Sequence, residues 1–213
     1  KLHKWAKTNG NFVNVAMLPG EFVTPDKPIA FVKYNADFED IISAFKIGEA
    51  RSFEADPRFG FIVLAEIASR ALSPSVNDHG TAINAISSIT RLLLIWYKNA
   101  EQDSRQNERK NIKPKTQDNG KPHYKYDAVS VPALNVDDLF DDAYTSIARD
   151  GAANIEVAIR IQKSLNTIKA CFDRVDNTFV KAANKLAIQS YERSKMALSY
   201  EEDVKRLDKV FKN

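Results

Sequence analysis

Apolar residues recur along this chain at two different periods, and the change of period organises it. Near the amino end, Phe12, Val13, Val15 and Met17 crowd the stretch from Asn11 to Leu18, and Ile29 to Tyr34 makes a second such run. Turn-forming residues at Pro19-Gly20-Glu21 and Thr24-Pro25-Asp26-Lys27-Pro28 separate them, so both read as strands. Leu2, Trp5 and Ala6 predict a short helix ahead of them, stopped near Gly10. From Asp37 onward the spacing is helical. Asp37 is placed to cap a short helix carrying Phe38, Ile41, Ile42 and Phe45 to about Lys46. Asp56-Pro57 opens another, with Phe59, Val63, Ile67 and Leu72 on one face and Ser73-Pro74 as its stop. Asn77 or Asp78 caps a long helix to about Ala100, whose Ile83, Ile86, Ile89, Leu93 and Trp96 make it a candidate subunit interface.

The pattern lapses from Glu101 to His123, which is rich in Lys, Arg, Gln, Asn and Asp with Ile112 as its only aliphatic residue. Such a stretch buries too little surface to offset its ordering entropy, so a flexible polar loop is expected over 101–123. Tyr124 to Pro132 alternates like a strand. Helical faces then return: Val136, Leu139, Phe140, Ala143 and Ile147 up to Gly151; Ile155, Ala158, Ile159, Leu165, Ile168 and Phe172; and Phe179, Val180, Ala183, Leu186 and Tyr191. Ser199 with Glu202 reads as a capping box for a last helix with Val204, Leu207 and Phe211. The fold class that follows is α+β and mostly α-helical: a small α+β unit over 1–36, then a helical domain over 37–213.

Composition adds bounds. Of 213 residues, 44% are hydrophobic and 28% charged, as in ordinary globular proteins, and the net charge of +3 is too small and too scattered to argue for nucleic acid. Tyr124 and Tyr126 read as strand residues rather than a base-stacking platform. Cys171 is the single cysteine, which excludes an intrachain disulfide and a multi-cysteine zinc site; its place beside Phe172 predicts a buried thiol. No run of about 18 apolar residues occurs, so no span is expected within these residues. The opening at Lys1, with a helix already under way, reads as a piece of a longer protein.

The chemistry concentrates at Arg51, Asp56, Arg70, Ser73, Asn77, Asp78 and Thr81. Helix caps account for Asp56 and for Asn77 or Asp78, each worth about 1 kcal/mol, with Arg51 and Arg70 pairing with the acids. Ser73 is expected to bond the backbone of Asn77 or Asp78 rather than to act as a nucleophile. Alternatively, the arginines and two helix N-termini converge on a small anion. A cation held by Asp56, Asn77 and Asp78 fits less well, because their spacing matches no compact metal loop. A hydrolase using Asp56 or Asp78 as a base is the competing class. His79 stands alone, and there is no Gly-x-Ser-x-Gly, phosphate-binding glycine loop or Cys–His couple. No catalytic residue and no metal are therefore assigned.

Three stretches carry a family resemblance: Pro19-Gly20-Glu21-Phe22-Val23 with Pro28-Ile29-Ala30; Ile47-Gly48-Glu49-Ala50-Arg51-Ser52 with Asp56-Pro57 and Phe59-Gly60; and Ala71-Leu72-Ser73-Pro74 with Asn77-Asp78 and Thr81-Ala82. Ala143-Tyr144 with Ile147-Ala148-Arg149 adds a weaker match. Together they resemble a family of uncharacterised bacterial membrane proteins, domain-of-unknown-function family twenty-two fifty-four. The resemblance implies transmembrane helices ahead of Lys1 and a soluble region here; the role expected of that region is structural or regulatory, assembly into a homo-oligomer beneath the membrane part or ligand sensing at the Asn77-Asp78 junction. It implies an inner-membrane protein, and by analogy with even-spanned proteins the region is expected to face the cytoplasm. The first stretch also looks like a biotinyl/lipoyl-type hairpin without the Met-Lys pair at its turn, so no covalent cofactor is expected. The family pattern carries proline after Asn-Asp; His79-Gly80 departs from it and predicts either a wider loop or backbone N–H groups brought close to a partner.

Overall fold

A computed structural model of the chain describes residues 1–34, 38–54, 56–109, 126–174 and 176–212. It is mostly helical with one small three-stranded sheet, the α+β class expected. The chain packs as two compact units: Lys1–Phe59 with Asn107–Leu134, and Gly60–Gln106 with Asn135–Asn213.

In the first unit, α1 (Leu2–Thr8) precedes β1 (Val13–Val15) and β2 (Ala30–Val32). Gly10 turns the chain between α1 and β1 at φ 58°. β1 pairs antiparallel with β2, Val13 opposite Val32, and parallel with β3 (Val129–Ser130), Val13 opposite Val129. The order β2-β1-β3 makes β1 central, and its alternation turns Val13 and Val15 inward against Ala6 and Ala128. Asn11 closes the hairpin's open end. Its Oδ1 accepts from the Lys33 and Tyr34 amides at 3.1 and 3.2 Å, and its Nδ2 donates to the Tyr34 carbonyl at 3.0 Å.

Three expectations change here. A division at residue 36 gives way to a unit that includes residues to Phe59 and the returning strand β3, because β1 needs a hydrogen-bonding partner on both sides. Asp37 lies outside the described residues, and α2 (Glu39–Ile42) ends well before Lys46. The strand within Tyr124–Pro132 narrows to β3; Tyr124 lies outside the described residues, and Tyr126 is exposed.

The second unit is built on α3 (Pro57–Ala71), α4 (His79–Arg109), α5 (Val136–Phe140), α6 (Ser146–Asp150), α7 (Ile155–Phe172), α8 (Asn177–Ala197) and α9 (Glu201–Phe211). α3 buries Phe61, Ala65, Ala68 and Ala71, not the Val63–Ile67 face, and Ile67 is 46% exposed. Both faces share the helical period; the alanine one admits close packing against neighbouring elements. α4 buries Ala82, Ala85, Ile86, Ile89 and Leu93, and Leu92 and Ile95 are its exposed large aliphatic side chains among the described residues. It also runs to Arg109, so 101–109 are helical rather than loop; Glu, Gln and Arg are strong helix formers even where they bury nothing. The rest of the expected loop, 110–123, lies outside the described residues. No helix among the described residues is long and apolar enough to cross a membrane.

The helix expected from Val136 toward Gly151 is interrupted by a π-helical turn, Asp141–Thr145, between α5 and α6. Asn135 caps its start through the amides of Asp137 and Asp138. The turn carries Tyr144, whose fully buried hydroxyl meets Ser164 Oγ at 2.7 Å, and Ser164 meets Thr90 Oγ1 at 2.6 Å. Thr90 donates to the Ile86 carbonyl at 2.7 Å, which leaves its oxygen to accept. One direction then satisfies all three protons: Tyr144 to Ser164, Ser164 to Thr90, Thr90 to Ile86. Burial pushes the Tyr144 hydroxyl up to about 12, so it stays a donor at any physiological pH.

The core centres on aromatic rings. Phe172 and Phe179 stack at 4.3 Å, and Phe179 meets Phe140 and Trp96 edge-on at 5.8 and 5.7 Å. Cys171, beside Phe172, is half-buried rather than buried. α9 packs Leu207 on Ile155 and Ala158, and Tyr191 stacks on Phe211 at 4.1 Å. The Ser199–Glu202 capping box does not form: α9 starts at Glu201 with Tyr200 as N-cap and no side-chain acceptor, and Glu201, Glu202 and Asp203 serve its first turn by charge. Because Phe179 touches three rings, Phe179→Ala is expected to lower unfolding free energy by about 3–5 kcal/mol in urea titration, whereas Ile188→Ala on the exposed side of α8 changes it by less than about 1 kcal/mol.

Candidate functional site

The seven residues singled out from the sequence fall into two clusters, one in each unit. Arg51 and Asp56 form the first. Asp56 is 2% exposed, and a buried carboxylate needs every lone pair occupied. Its Oδ1 accepts from the amides of Arg58 and Phe59 at 3.0 and 3.3 Å, capping α3 as Asp-Pro predicts. Its Oδ2 accepts from Arg51 Nε at 2.5 Å, and Arg51 Nη2 closes on the same oxygen. Arg51 is 33% exposed and lies over the Phe59 ring at 5.3 Å, which stacks on Phe53.

Gly20 completes this cluster, and the reading of the sequence did not single it out. Its φ is +87°, and a Cβ there would overlap Asp56 Oδ2 and stand 2.9 Å from Arg51 Nε. Only glycine lets the Pro19–Glu21 turn pass that close to the ion pair. Glu21 closes the turn by accepting the Leu18 amide at 3.1 Å. The result is a groove of about 450 Å³, with Pro19–Val23 on one side, Lys46–Ser52 on the other and Asp56 at its base. The first two stretches quoted for the resemblance are thus its two walls.

The second cluster is the junction between α3 and α4. Ala71 O accepts the Asp78 amide at 2.8 Å, and Ser73 O accepts the Asn77 amide at 2.9 Å. Asn77 takes the left-handed conformation at φ 50° that this reversal requires. Asp78 is the cap: Oδ1 accepts the Thr81 amide at 3.0 Å and Oδ2 the Thr81 hydroxyl at 2.6 Å. The Thr81 hydroxyl first, and its amide next, hold the Asp78 carboxyl below its ordinary value. Two expected partners differ. Ser73 Oγ donates back to the Arg70 carbonyl at 2.7 Å, not to Asn77 or Asp78, since the last turn of α3 offers a nearer free carbonyl. Arg70 is exposed and forms no ion pair among the described residues, because Thr81 already occupies Asp78. His79 leaves the junction altogether and meets the Asn154 amide at 2.7 Å, so the residue in proline's place tethers the start of α4 to the cap of α7. The wider loop expected from His79-Gly80 is instead closed by the Asp78–Thr81 bonds.

As chemistry, Asp56 is a fully occupied acceptor, and a general base must have a lone pair free for its substrate's proton; Asp78 accepts twice, both times from Thr81. Among the described residues no group of three His, Cys, Asp or Glu side chains is arranged to hold a metal ion. Each cluster sets a fixed charge beside an open space, a setting suited to holding an anion: Arg51 lines the groove behind Gly20, and the exposed Arg70 lines a depression of about 510 Å³ with Asp78 and Thr81.

Two measurements check these assignments. Asp56→Ala is expected to cost more than about 1 kcal/mol, since it removes the cap and strands Arg51, while Asp56→Asn recovers part of the loss by capping alone; thermal melts in which the alanine variant equals wild type would refute the cap. Asp78 has a depressed folded pKa, so its contribution to stability is present above the unfolded value near ~3.9 and is lost as pH falls through the folded one. Carboxyl NMR should show Asp78 titrating below that value, and Thr81→Val should move it upward; an unmoved titration contradicts the assigned cause.

Comparison with known proteins gives one match. The profile of a family described as predicted membrane protein (DUF2254) matches residues 1–167. No curated protein and no solved structure matches the chain. The matched span takes in the Gly20–Arg51–Asp56 groove, the α3–α4 junction and the π-helical turn, and the chain belongs to the predicted membrane protein family DUF2254.

Proposed function

We propose that this chain is a non-catalytic, extramembrane module of a cell-membrane protein, which assembles with copies of itself and so organises or regulates the membrane part. The observation that carries the reading is the full engagement of the buried Asp56 by Arg51 and the α3 amides, with Asp78 held as a cap by Thr81. Polar density at these sites serves helix caps, and a hydrolase using either acid as base would have to break a cap to work. Self-association draws its support from apolar side chains left on the second unit. Ile67 and Val76, 46% and 54% exposed, border with Val63 the depression of about 510 Å³ whose other lining includes Glu66, Arg70, Asp78 and Thr81. Leu92 and Ile95 follow Thr81 on one face of α4 at helical spacing. Exposed aliphatic groups clustered in this way suit an interface more than a monomer's surface.

The reading sets the module on the cytoplasmic side of the inner membrane, by analogy with proteins of an even number of spans. A second reading, sensing of a small anion, is favoured by Arg51, whose partly exposed guanidinium lines the groove behind Gly20, and by Arg70, which forms no ion pair among the described residues.

Multi-angle light scattering on the purified chain is expected to give a dimer or larger species. Leu92→Asp with Ile95→Asp should shift it to monomer with unchanged far-UV circular dichroism. A monodisperse monomer at high concentration sinks the assembly reading.

A further inference from the structure

We infer that the seam between α4 and α7 is a binding site for a phosphate-bearing anion. α4 presents Thr90 and Arg91 to a groove of about 250 Å³, and α7 presents Arg160, Lys163 and Ser164 to the same groove. No carboxylate lines it. Arg91, Arg160 and Lys163 are all exposed, and among the described residues none of them forms an ion pair. Glu156, four residues ahead of Arg160 on α7, is the acid in position to neutralise it, and it makes no ion pair with it. What sets the three apart is their sharing of one groove, since other cations unpaired among the described residues, such as Lys181 and Lys209, stand on other faces; Lys7, Arg51, Arg149, Lys205 and Arg206 each meet an acid within 4 Å.

Three unneutralised cations on two facing helix walls repel one another, and the arrangement is relieved by an anion between them. Arg160 and Lys163 are three residues apart and so share a face of α7, with Arg91 opposite on α4. The floor is rigid and polar. Ser164 and Thr90 are bonded to each other and, through Tyr144, to the buried π-helical turn, which fixes the spacing of the two helices. Their protons are committed inward, so the ligand's oxygens must be met by guanidinium and ammonium N–H groups. Tetrahedral phosphate, with several charged acceptor oxygens, suits two arginine forks and a lysine point charge better than a planar carboxylate does. Free phosphate and the phosphate of a lipid headgroup share this chemistry. The inference rests on residues apart from both clusters described above and stands whether or not the chain self-associates.

The test uses the whole chain. Inorganic phosphate is titrated by calorimetry, and co-sedimentation is measured with vesicles of phosphatidylglycerol in phosphatidylcholine against phosphatidylcholine alone. Saturable binding of phosphate without vesicle binding identifies a soluble ligand; binding to phosphatidylglycerol vesicles identifies a headgroup. Arg160→Gln with Lys163→Gln should weaken whichever is seen by roughly tenfold or more, the loss of one charge-assisted contact or more. Lys181→Gln with Lys209→Gln removes the same charge from α8 and α9 and should leave binding within about twofold, less than one weak contact. These four side chains are exposed, and matched circular dichroism melts check that folding is intact. No binding of either probe by the unaltered chain overturns the inference, as does an equal loss in the control variant or no loss in the seam variant.

Discussion

A carboxylate that is almost entirely removed from water constrains more of this molecule than any other group. Asp56 at 2% exposure cannot hold its charge without full compensation, and the chain supplies it from three directions. The helix start gives two amides, Arg51 gives the countercharge, and Gly20 gives the space. Each requirement restricts sequence elsewhere. Arg51 must be held, so Phe59 and Phe53 stack beneath it; the turn at residue 20 must pass within contact, so no side chain is tolerated there. The groove of the first unit is therefore a by-product of satisfying one charge. Its most prominent chemical feature, an arginine facing an open space, exists because the acid behind it needed a partner.

The second unit solves a related problem without charge. The π-helical turn at Asp141–Thr145 rotates Tyr144 into the core, where its hydroxyl requires a bond. Ser164 and Thr90 provide a chain of hydroxyls ending on a backbone carbonyl of α4. Three helical segments are thereby tied at one point beside the ring cluster of Phe140, Phe172 and Phe179. A mispacked alternative would leave a buried hydroxyl unpaired, at about 1–3 kcal/mol, so the polar chain selects one register among apolar packings that are otherwise similar.

How far the sequence displays all this depends on range. Asp56-Pro57 and Asp78 with Thr81 were legible as caps because their bonds span two or three residues, and the strands around Val13 and Phe31 were legible because turn residues bracket them. The buried face of α3 was not. Val63 and Ile67 are the more hydrophobic choice, and only the packing within its unit makes Ala65 and Ala68 the inner face. The helix over 101–109 was missed because burial was weighed there and propensity was not. Gly20 stood in plain view within a quoted stretch, yet its reason lies 36 residues away at Asp56. The hydroxyl chain joins positions 90, 144 and 164, and no local pattern announces it.

The same distinction bears on where function sits. Asp56, Ser73 and Thr81, dense in polar chemistry along the sequence, make bonds that are local, and a completed bond has little left to offer a ligand. The seam of α4 and α7 has the opposite character. Arg91, Arg160 and Lys163 are unremarkable in sequence, lying on ordinary exposed faces of two separate helices, and only the folding of the second unit sets them about one groove. Their charges share one groove with no acid, where Lys7, Arg149 and Arg206 each stand against one. Exposed cations cost little to leave unpaired, since water solvates them, so stability alone exerts no force toward bringing three together without an acid. What recommends the seam is that its charge has no structural use, whereas the charge of Arg51 is consumed by Asp56.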